Sequence, residues 1–406
     1  MKKLLSAVLL AVLIIPVLLA AAPRAAAETV TINVYNWGQY ISDGTDGAID
    51  VNKAFEEATG IRVNYMTYDN NETLYTKLKT GGSTYDVIIP SDYMIGRLIS
   101  EGLLEKLDFS NIPNYQYIEE AYKNTAYDPN NEYSVPYTWG TVGVIYNKKF
   151  VDEADIGSWD LLWNEKYKGK ILMFGNPRDA FAIAESRLGY SFNSQSEEEI
   201  RACSELLLAQ KPLVQAYVMD QVYDAMEHEE AWIAPYYAGD YLQMAEVNED
   251  LGFYFPEEGF NFFIDAACIP TSCTNKAAAE AYINFLCEPE IMAENLDYLG
   301  YSVTSEAAKE FMDEEAIANP VAYPDAETLA RGEAFLPLDQ TTTQLMDKLW
   351  LEVKTSGNSG IFGLKFFAEK PWVLPVIAVA VIVIVLIIVL VSRKKKLARR
   401  RRGYTR

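Results

Sequence analysis

The sequence predicts an α/β protein of two lobes with a cleft between them, followed by a C-terminal transmembrane helix. Strand-like and helix-like segments alternate from Val30 onward, a pattern typical of a sheet flanked by helices. Two blocks of similar size are joined by strand-like segments near residues 135–140 and 261–267, and the first block resumes after the second. Residues 372–391 form an uncharged run of 20 residues, long enough to cross a bilayer.

The first block shows the alternation most clearly. VTINVYNW and IRVNYMTY predict strands, whereas DVNKAFEEATG and NNETLYTKLKTGG predict helices that end at glycine. TYDVIIP predicts a buried strand and SDYMIGRLISEGLLEKL the next helix. The short connections indicate a parallel sheet. In the second block, SWDLLWNEKYKGKILMF predicts a helix, a turn and a strand, and TTTQLMDKLWLEVK predicts the last helix.

The pattern divides the chain into seven parts. They are a signal peptide (1–27), the first part of lobe 1 (28–136), lobe 2 (137–262), the return to lobe 1 with C-terminal helices (263–354), a linker (355–371), a transmembrane helix (372–391) and a basic cytoplasmic tail (392–406). The signal peptide follows from a basic start, an apolar run and an Ala-rich cleavage site. The tail RKKKLARRRRGYTR places the C-terminus inside the cell.

Charge narrows the classes of partner. The net charge is −22, and because the tail carries +9 and the first 27 residues +3, residues 28–392 carry −34. Such a domain repels nucleic acids and attracts cations, although solubility alone also explains an acidic surface. The four cysteines, Cys203, Cys268, Cys273 and Cys287, lack zinc spacing. His228 is the single histidine, so we expect neither a catalytic histidine nor a metal or cofactor.

Aromatic and acidic residues recur where predicted strands end. Trp37 and Tyr40 follow the first strand, Ser91, Asp92 and Tyr93 follow VIIP, Asp179 follows ILMFGNPR, Tyr237 and Asp240 lie in PYYAGDY, and Phe263 and Asp265 lie in FFID. Ligands of open α/β folds bind beyond the carboxyl ends of strands. Carboxylates hold ammonium groups, and aromatic faces favour cations and cover methylenes. The set predicts a site for an organic cation.

Several segments together resemble the spermidine/putrescine-binding proteins of bacterial polyamine ABC transporters. They include YNWGQYI, NNETLYTKLKTGGSTYDVIIPSDYMI, YSVPYTWGTVGVIYN, SWDLLWNEKYKGKILM, INFLCEPEIMAENLDYLGYSVTSEAA and YPDAETLARGEAF. The resemblance spans about residues 30–354. It implies a type II periplasmic-binding-protein fold that closes on a linear polyamine and delivers it to a permease with ATPase subunits.

Position by position, the resemblance assigns roles. It implies that the aromatic walls of the site are Trp37, Tyr40, Tyr93, Tyr237 and Phe263. It makes Asp265 the central carboxylate for an amine and Asp179 the carboxylate that binds an end amine. Asp240 matches an acid found in the putrescine-binding members, and Ser91 a polar contact at the rim of the cleft. At three positions the sequence differs from the spermidine-preferring members of the family: it has Asn176 in place of an Asp, Phe263 in place of a Trp and Phe335 in place of a Gln. These differences favour the shorter diamine, putrescine. Asp92 is equally explained as a helix-start residue, and Trp139 mainly as packing with a place on the cleft floor.

The predicted function is a monomeric, membrane-anchored, extracellular binding protein without enzymatic activity. Alternatives within the binding class are another small cation such as thiamine, or an anchored receptor that does not transport. An alternative of another class is a hydrolase with paired carboxylates, which the spacing does not require.

Overall fold

The computed structural model describes residues 29–82 and 84–356 of the 406-residue chain. The predicted signal peptide, transmembrane helix and basic tail, with almost all of the linker, lie outside these residues. Within the described ranges, none of the helices has the length and apolar character needed to span a bilayer.

Ten strands form one mixed sheet. They are β1 (Thr31–Trp37), β2 (Arg62–Tyr68), β3 (Val87–Ile88), β4 (Ser134–Asn147), β5 (Ile171–Phe174), β6 (Val214–Val218), β7 (Ile233–Tyr237), β8 (Leu251–Tyr254), β9 (Phe260–Cys268) and β10 (Gly332–Ala334). Their order is β2-β1-β3-β9-β4-β7-β5-β6, with β10 beside β9 and β8 beside β4.

Helices cover both lobes. The α-helices are α1 (Val51–Thr59), α2 (Asn71–Thr80), α3 (Asp92–Ser100), α4 (Pro177–Leu188), α5 (Glu197–Gln210), α6 (Gln221–Glu227), α7 (Ala238–Val247), α8 (Lys276–Leu286), α9 (Pro289–Leu299), α10 (Glu306–Lys309), α11 (Glu314–Ile317), α12 (Ala326–Leu329) and α13 (Gln340–Thr355). Where SWDLLW predicted an α-helix, the chain instead forms 3₁₀ turns at Trp159–Trp163 and Glu165–Tyr167.

Strands β4 and β9 connect the two lobes. In β4, Thr141 is paired with Phe262 of β9, and the next residue, Val142, is paired with Tyr237 of β7. The sheet therefore continues from lobe 1 into lobe 2 through β4. The expected parallel sheet is only partly observed, because β4 runs antiparallel to β7, β8 and β9. Pairs such as β1–β2 and β5–β6 are parallel.

Capping residues fix the helix starts that matter for the site. The Asn176 side chain accepts a hydrogen bond from the Asp179 amide at 2.9 Å and so begins α4. Asn70 begins α2 in the same way, accepting from the Thr73 amide at 2.9 Å. Both caps follow the carboxyl end of a strand, so each helix begins beside the cleft.

The last helix, α13, packs on lobe 2. The Trp350 indole N–H donates to the Gly175 carbonyl at 3.2 Å, and the Trp350 ring contacts Tyr217 at a centroid distance of 5.2 Å. Lys211 of lobe 2 donates to the Val353 carbonyl at 2.6 Å. The sequence places this final helix with the return to lobe 1, but it rests on α4 and α5, which lie in the segment predicted as lobe 2.

Candidate functional site

A cavity lies between the lobes, next to the crossing strands. We call it the ligand cavity. Lobe 1 contributes the end of β1, residues 261–265 of β9 and the starts of α2 and α3, while lobe 2 contributes the starts of α4, α6 and α7. It is lined by Trp37, Gly38, Tyr40, Asn71, Ser91, Tyr93, Asn176, Asp179, Met219, Asp220, Tyr236, Tyr237, Asp240, Asn261, Phe263, Asp265, Tyr301 and Phe335.

Most sequence-predicted residues meet in this cavity. The structure gathers there Trp37, Tyr40, Ser91, Tyr93, Asn176, Asp179, Tyr237, Asp240, Phe263, Asp265 and Phe335. They come from separate segments of the chain, so their assembly depends on the fold. That they hold a ligand stays a prediction.

Two predicted residues lie elsewhere. Asp92 is buried in the first turn of α3, where its carboxylate accepts the Tyr93 amide at 2.6 Å rather than facing the ligand cavity. Trp139 is not on the cleft floor, because its indole N–H donates to the Val303 carbonyl at 3.1 Å. Its ring packs against Phe262 in the core of lobe 1.

Asp265 is a buried carboxylate in the wall of the ligand cavity. It is 3% exposed, and its Oδ2 accepts a hydrogen bond from the Tyr40 hydroxyl at 2.7 Å. Its Oδ1 is buried and has no hydrogen-bond partner among the described residues. Burial raises the pKa of Asp265 to about 7, and the Tyr40 and Ser91 hydroxyls lower it in part. This carboxylate can therefore accept a hydrogen bond from a cation that enters the cavity.

Asp240 is held by two tyrosines. Its Oδ1 accepts from Tyr223 at 2.6 Å, and its Oδ2 accepts from Tyr301. Gly239 makes the second contact possible, because a Cβ there would stand 2.3 Å from the Tyr301 ring. Burial raises the pKa of Asp240 to about 6, against the lowering effect of the two hydroxyls.

Asp179 stands in the first turn of α4. Its Oδ2 accepts hydrogen bonds from the side-chain amide Nδ2 of Asn176 at 2.6 Å and from the Tyr237 hydroxyl at 3.0 Å. Burial raises its pKa, although these two hydrogen bonds favour the charged form. The cap residue of the helix therefore also orients the carboxylate.

Aromatic rings complete the walls. Tyr40 meets Tyr301 edge to face with centroids 5.0 Å apart, and Tyr237 meets Phe263 at 5.5 Å. Phe263 lies on Gly140 of β4, where a Cβ would be 2.6 Å from the ring. These flat surfaces suit methylene groups and cations alike.

The electrostatic character of the ligand cavity is strongly negative. Four aspartates line it, and none of the described residues in its wall is Lys or Arg. Desolvation raises the pKa of each of these aspartates, which are Asp179, Asp220, Asp240 and Asp265. The described part of the chain contains no cluster of three or more His, Cys, Asp or Glu arranged for a metal ion. The wall therefore fits an organic cation that satisfies carboxylates while filling an aromatic slot.

Sequence reasoning missed several lining residues. Asp220 follows the strand β6, so the strand-end rule applies to it, but that strand was not recognised. Tyr301 follows the helix α9 rather than a strand, and no local pattern marks it. Asn71, Met219 and Asn261 likewise face the cavity without a sequence signal.

The fold and the cavity define a two-lobed protein with a cavity between its lobes, as in binding proteins of small solutes. Residues 51–325 match the family model of the bacterial extracellular solute-binding proteins. The chain belongs to this family. As members of the family bind solutes, the prediction that the chain is not an enzyme is confirmed.

Individual relatives agree with the resemblance seen in the sequence. The spermidine/putrescine-binding periplasmic protein of Salmonella typhimurium is 34% identical over 309 residues, covering 76% of this chain and 87% of the relative. The putrescine-binding periplasmic protein SpuD of Pseudomonas aeruginosa is 32% identical over 348 residues, covering 81% and 93%. The resemblance is thereby confirmed.

A solved structure shows the same fold. The spermidine/putrescine ABC transporter substrate-binding protein PotD from Streptococcus pneumoniae is 37% identical, with a TM-score of 0.67. The match covers 80% of this chain and 99% of that one. The predicted two-lobed periplasmic-binding-protein architecture is confirmed.

Proposed function

We propose that this protein binds a linear polyamine, putrescine in preference to spermidine, outside the cell. The observation that carries the proposal is Asp265, a buried carboxylate in the wall of an aromatic cavity, with one oxygen that has no partner among the described residues. An ammonium group supplies the missing donor and neutralises the charge. The relatives are named as binding proteins for spermidine and putrescine, and these names support the same ligand class.

Two ammonium groups of a diamine match the distribution of acids. One ammonium group pairs with the free oxygen of Asp265 on β9 and the other with Asp179 at the start of α4, while Asp240 adds acidic character to the same wall. Phe335 and Asn176 carry no charge for a third ammonium, which favours the diamine. The rings of Tyr237 and Phe263 cover the methylenes in this arrangement.

Capture occurs by closure of the lobes. Because acids from both lobes contact the ligand only when the cleft is shut, ligand binding favours the closed state. The closed protein then delivers its ligand to an ABC permease. Anchoring by residues 372–391, with the C-terminus inside, keeps the binding protein beside the permease and raises its effective concentration there.

Calorimetric titration of the full chain with putrescine, spermidine and thiamine tests the proposal. We expect heat with putrescine, less affinity for spermidine, and none with thiamine. If neither polyamine gives heat whereas thiamine does, the ligand class is wrong. Anchoring is tested separately by fractionating cells that express the full chain or a chain ending at residue 356, since only the full chain should sediment with membranes.

A further inference from the structure

A second cavity lies behind one wall of the ligand cavity. Tyr93 lines both. The two cavities also use neighbouring residues of the same helix starts: Asn71 and Asp179 face the ligand cavity, whereas Glu72 and Arg178 face the second one. The two cavities therefore lie on either side of these helix starts, with the Tyr93 ring in the wall of both. We call the second one the rear cavity.

Two buried charged groups in the rear cavity have unused hydrogen-bonding atoms. Glu72 Oε1 accepts from the Tyr93 hydroxyl at 3.1 Å, but Oε2 has no partner in the described part of the chain. Arg178 is 3% exposed, and its Nη2 donates to Asn193 at 2.9 Å and to the Leu336 carbonyl at 3.1 Å. Its Nε and Nη1 have no acceptor among the same residues. Both side chains line the rear cavity, and between them they leave one acceptor and two donors without a partner in the described part of the chain.

The charges around the rear cavity oppose each other. Glu72 and Asp347 line it together with Arg97 and Arg178. Arg97 is paired with Glu101 at 3.2 Å. Arg178 is attracted by the buried Glu185, but both Glu185 oxygens lack a hydrogen-bond partner within the described ranges. A third ammonium would meet the Arg178 guanidinium, and an anion would meet two carboxylates, so neither is well matched.

A neutral amide satisfies both groups at once. Its N–H donates to a carboxylate and its carbonyl accepts from a guanidinium, and hydrogen bonds to charged groups are the strong ones. Pro337, Leu338 and Met346 supply apolar wall for a short acyl group. A ligand that ends in an unmodified amine has no carbonyl to accept from Arg178 and no acyl group to contact this apolar wall.

We propose that the rear cavity takes the acylated end of an N-acyl diamine whose free ammonium stays in the ligand cavity. The amide N–H donates to Glu72 Oε2, the carbonyl accepts from Arg178, and the Tyr93 ring turns aside to join the two cavities. The inference rests on the proposed function, because it assumes that the ligand cavity holds an alkylammonium.

The test is titration of the full chain with putrescine, N-acetylputrescine and spermidine. We expect the wild type to bind N-acetylputrescine. Glu72→Leu should lower that affinity about 10- to 100-fold while changing putrescine affinity far less. Glu72→Gln keeps an acceptor oxygen and should retain most of the binding. Glu57→Leu, the same change at an exposed position of α1, is the matched control and should alter neither affinity.

Each result bears on a different proposal. If putrescine binds and N-acetylputrescine does not, the rear cavity is not an acyl site, although the proposed function stands. Equal losses for both ligands in Glu72→Leu would also overturn the inference, since Glu72 would then merely support Tyr93. A loss confined to spermidine would assign the rear cavity to a third ammonium instead. If no amine binds, both proposals fail.

Discussion

At the scale of single residues, Asp265 is both a source of instability in the ligand-free protein and the residue on which the proposed binding depends. Its carboxylate is buried with one oxygen unpartnered among the described residues, and an unpaired buried charge destabilises the folded protein. The pKa near 7 shows how far burial disfavours its charged form. An ammonium ligand pairs with this carboxylate, so part of the binding free energy comes from removing an unpaired buried charge that destabilises the ligand-free protein.

Asp265→Asn tests this account. The amide keeps the size of the side chain but cannot pair with an ammonium charge. Loss of one partner of a buried charge pair costs about 3 kcal/mol or more, so putrescine affinity should fall by roughly 100-fold or more. The melting temperature of the ligand-free variant should hold or rise, as a buried charge is gone. Calorimetry and thermal unfolding measure the two effects, and an affinity within a few fold of wild type would place the ligand elsewhere.

Much of the ligand cavity is predictable at this scale, since aromatic and acidic residues after strands are a pattern with a structural reason. Tyr237, the last residue of β7, fits this pattern, whereas Asp265 was found although it lies inside β9. Tyr301 was not, because its position depends on how α9 packs beside α7 and on the missing side chain at Gly239. Trp139 was misplaced on the cleft floor, because the pleat alone does not show which face of a crossing strand is covered.

At the scale of elements, helix starts position the polar groups of lobe 2. The cap residue Asn176 both begins α4 and orients Asp179. The helices α1 and α2 were predicted with nearly correct bounds from the glycines that end them, Gly60 and Gly81. The 3₁₀ turns at Trp159–Trp163 were not, because the Trp159 indole is fixed by a distant contact, the Gly259 carbonyl at 2.8 Å.

Asn176→Ala separates the two roles of the cap. Removal of a cap destabilises a protein by about 1 kcal/mol, and here it also frees the Asp179 carboxylate. Asp339→Ala, which removes the cap of α13 at the Thr342 amide, is the control. Both variants should unfold at lower denaturant concentration, but only Asn176→Ala should lose putrescine affinity. Equal affinity in the two variants would show that the cap is structural alone.

Gly239→Ala tests the contact between α7 and Tyr301. The added methyl would stand 2.3 Å from the ring, so the ring must move and its hydroxyl should leave Asp240. Overpacking of this kind costs about 1–3 kcal/mol. We expect lower stability and weaker putrescine binding. Tyr301→Phe removes only the hydroxyl and should weaken binding with a smaller loss of stability; similar stability losses in the two variants would count against the steric account.

At the scale of the whole molecule, two features are combined. Strands β4 and β9 join the lobes, and β9 also carries the ligand-cavity residues Phe263 and Asp265. The interleaved order of the blocks predicted this crossing from sequence. The antiparallel pairing of β4 was not predicted, because a strand that crosses between lobes must serve two sheets, and the local pattern shows only that it is a strand.

The acids of the ligand cavity make stability depend on pH. An aspartate in an unfolded chain has a pKa near 3.9, whereas burial raises that of Asp265 to about 7 and that of Asp240 to about 6 in the folded protein. Between about pH 4 and pH 7 the folded state therefore binds more protons than the unfolded state. It follows that these groups favour folding at low pH, and that their contribution is lost as pH rises through about 7.

Ligand should reverse this dependence, because an ammonium group favours the charged carboxylates and must displace their protons. We expect the melting temperature of the ligand-free protein to fall between about pH 5 and pH 8, and putrescine affinity to rise over the same interval and level off above the pKa of Asp265. Asp265→Asn should flatten both curves, whereas Glu57→Gln, an exposed change, should flatten neither. Calorimetry in buffers of different ionisation enthalpy would detect the released protons directly. If affinity were constant from pH 5 to pH 8, the carboxylates would already be charged in the ligand-free protein, and their burial would not be what the cation relieves.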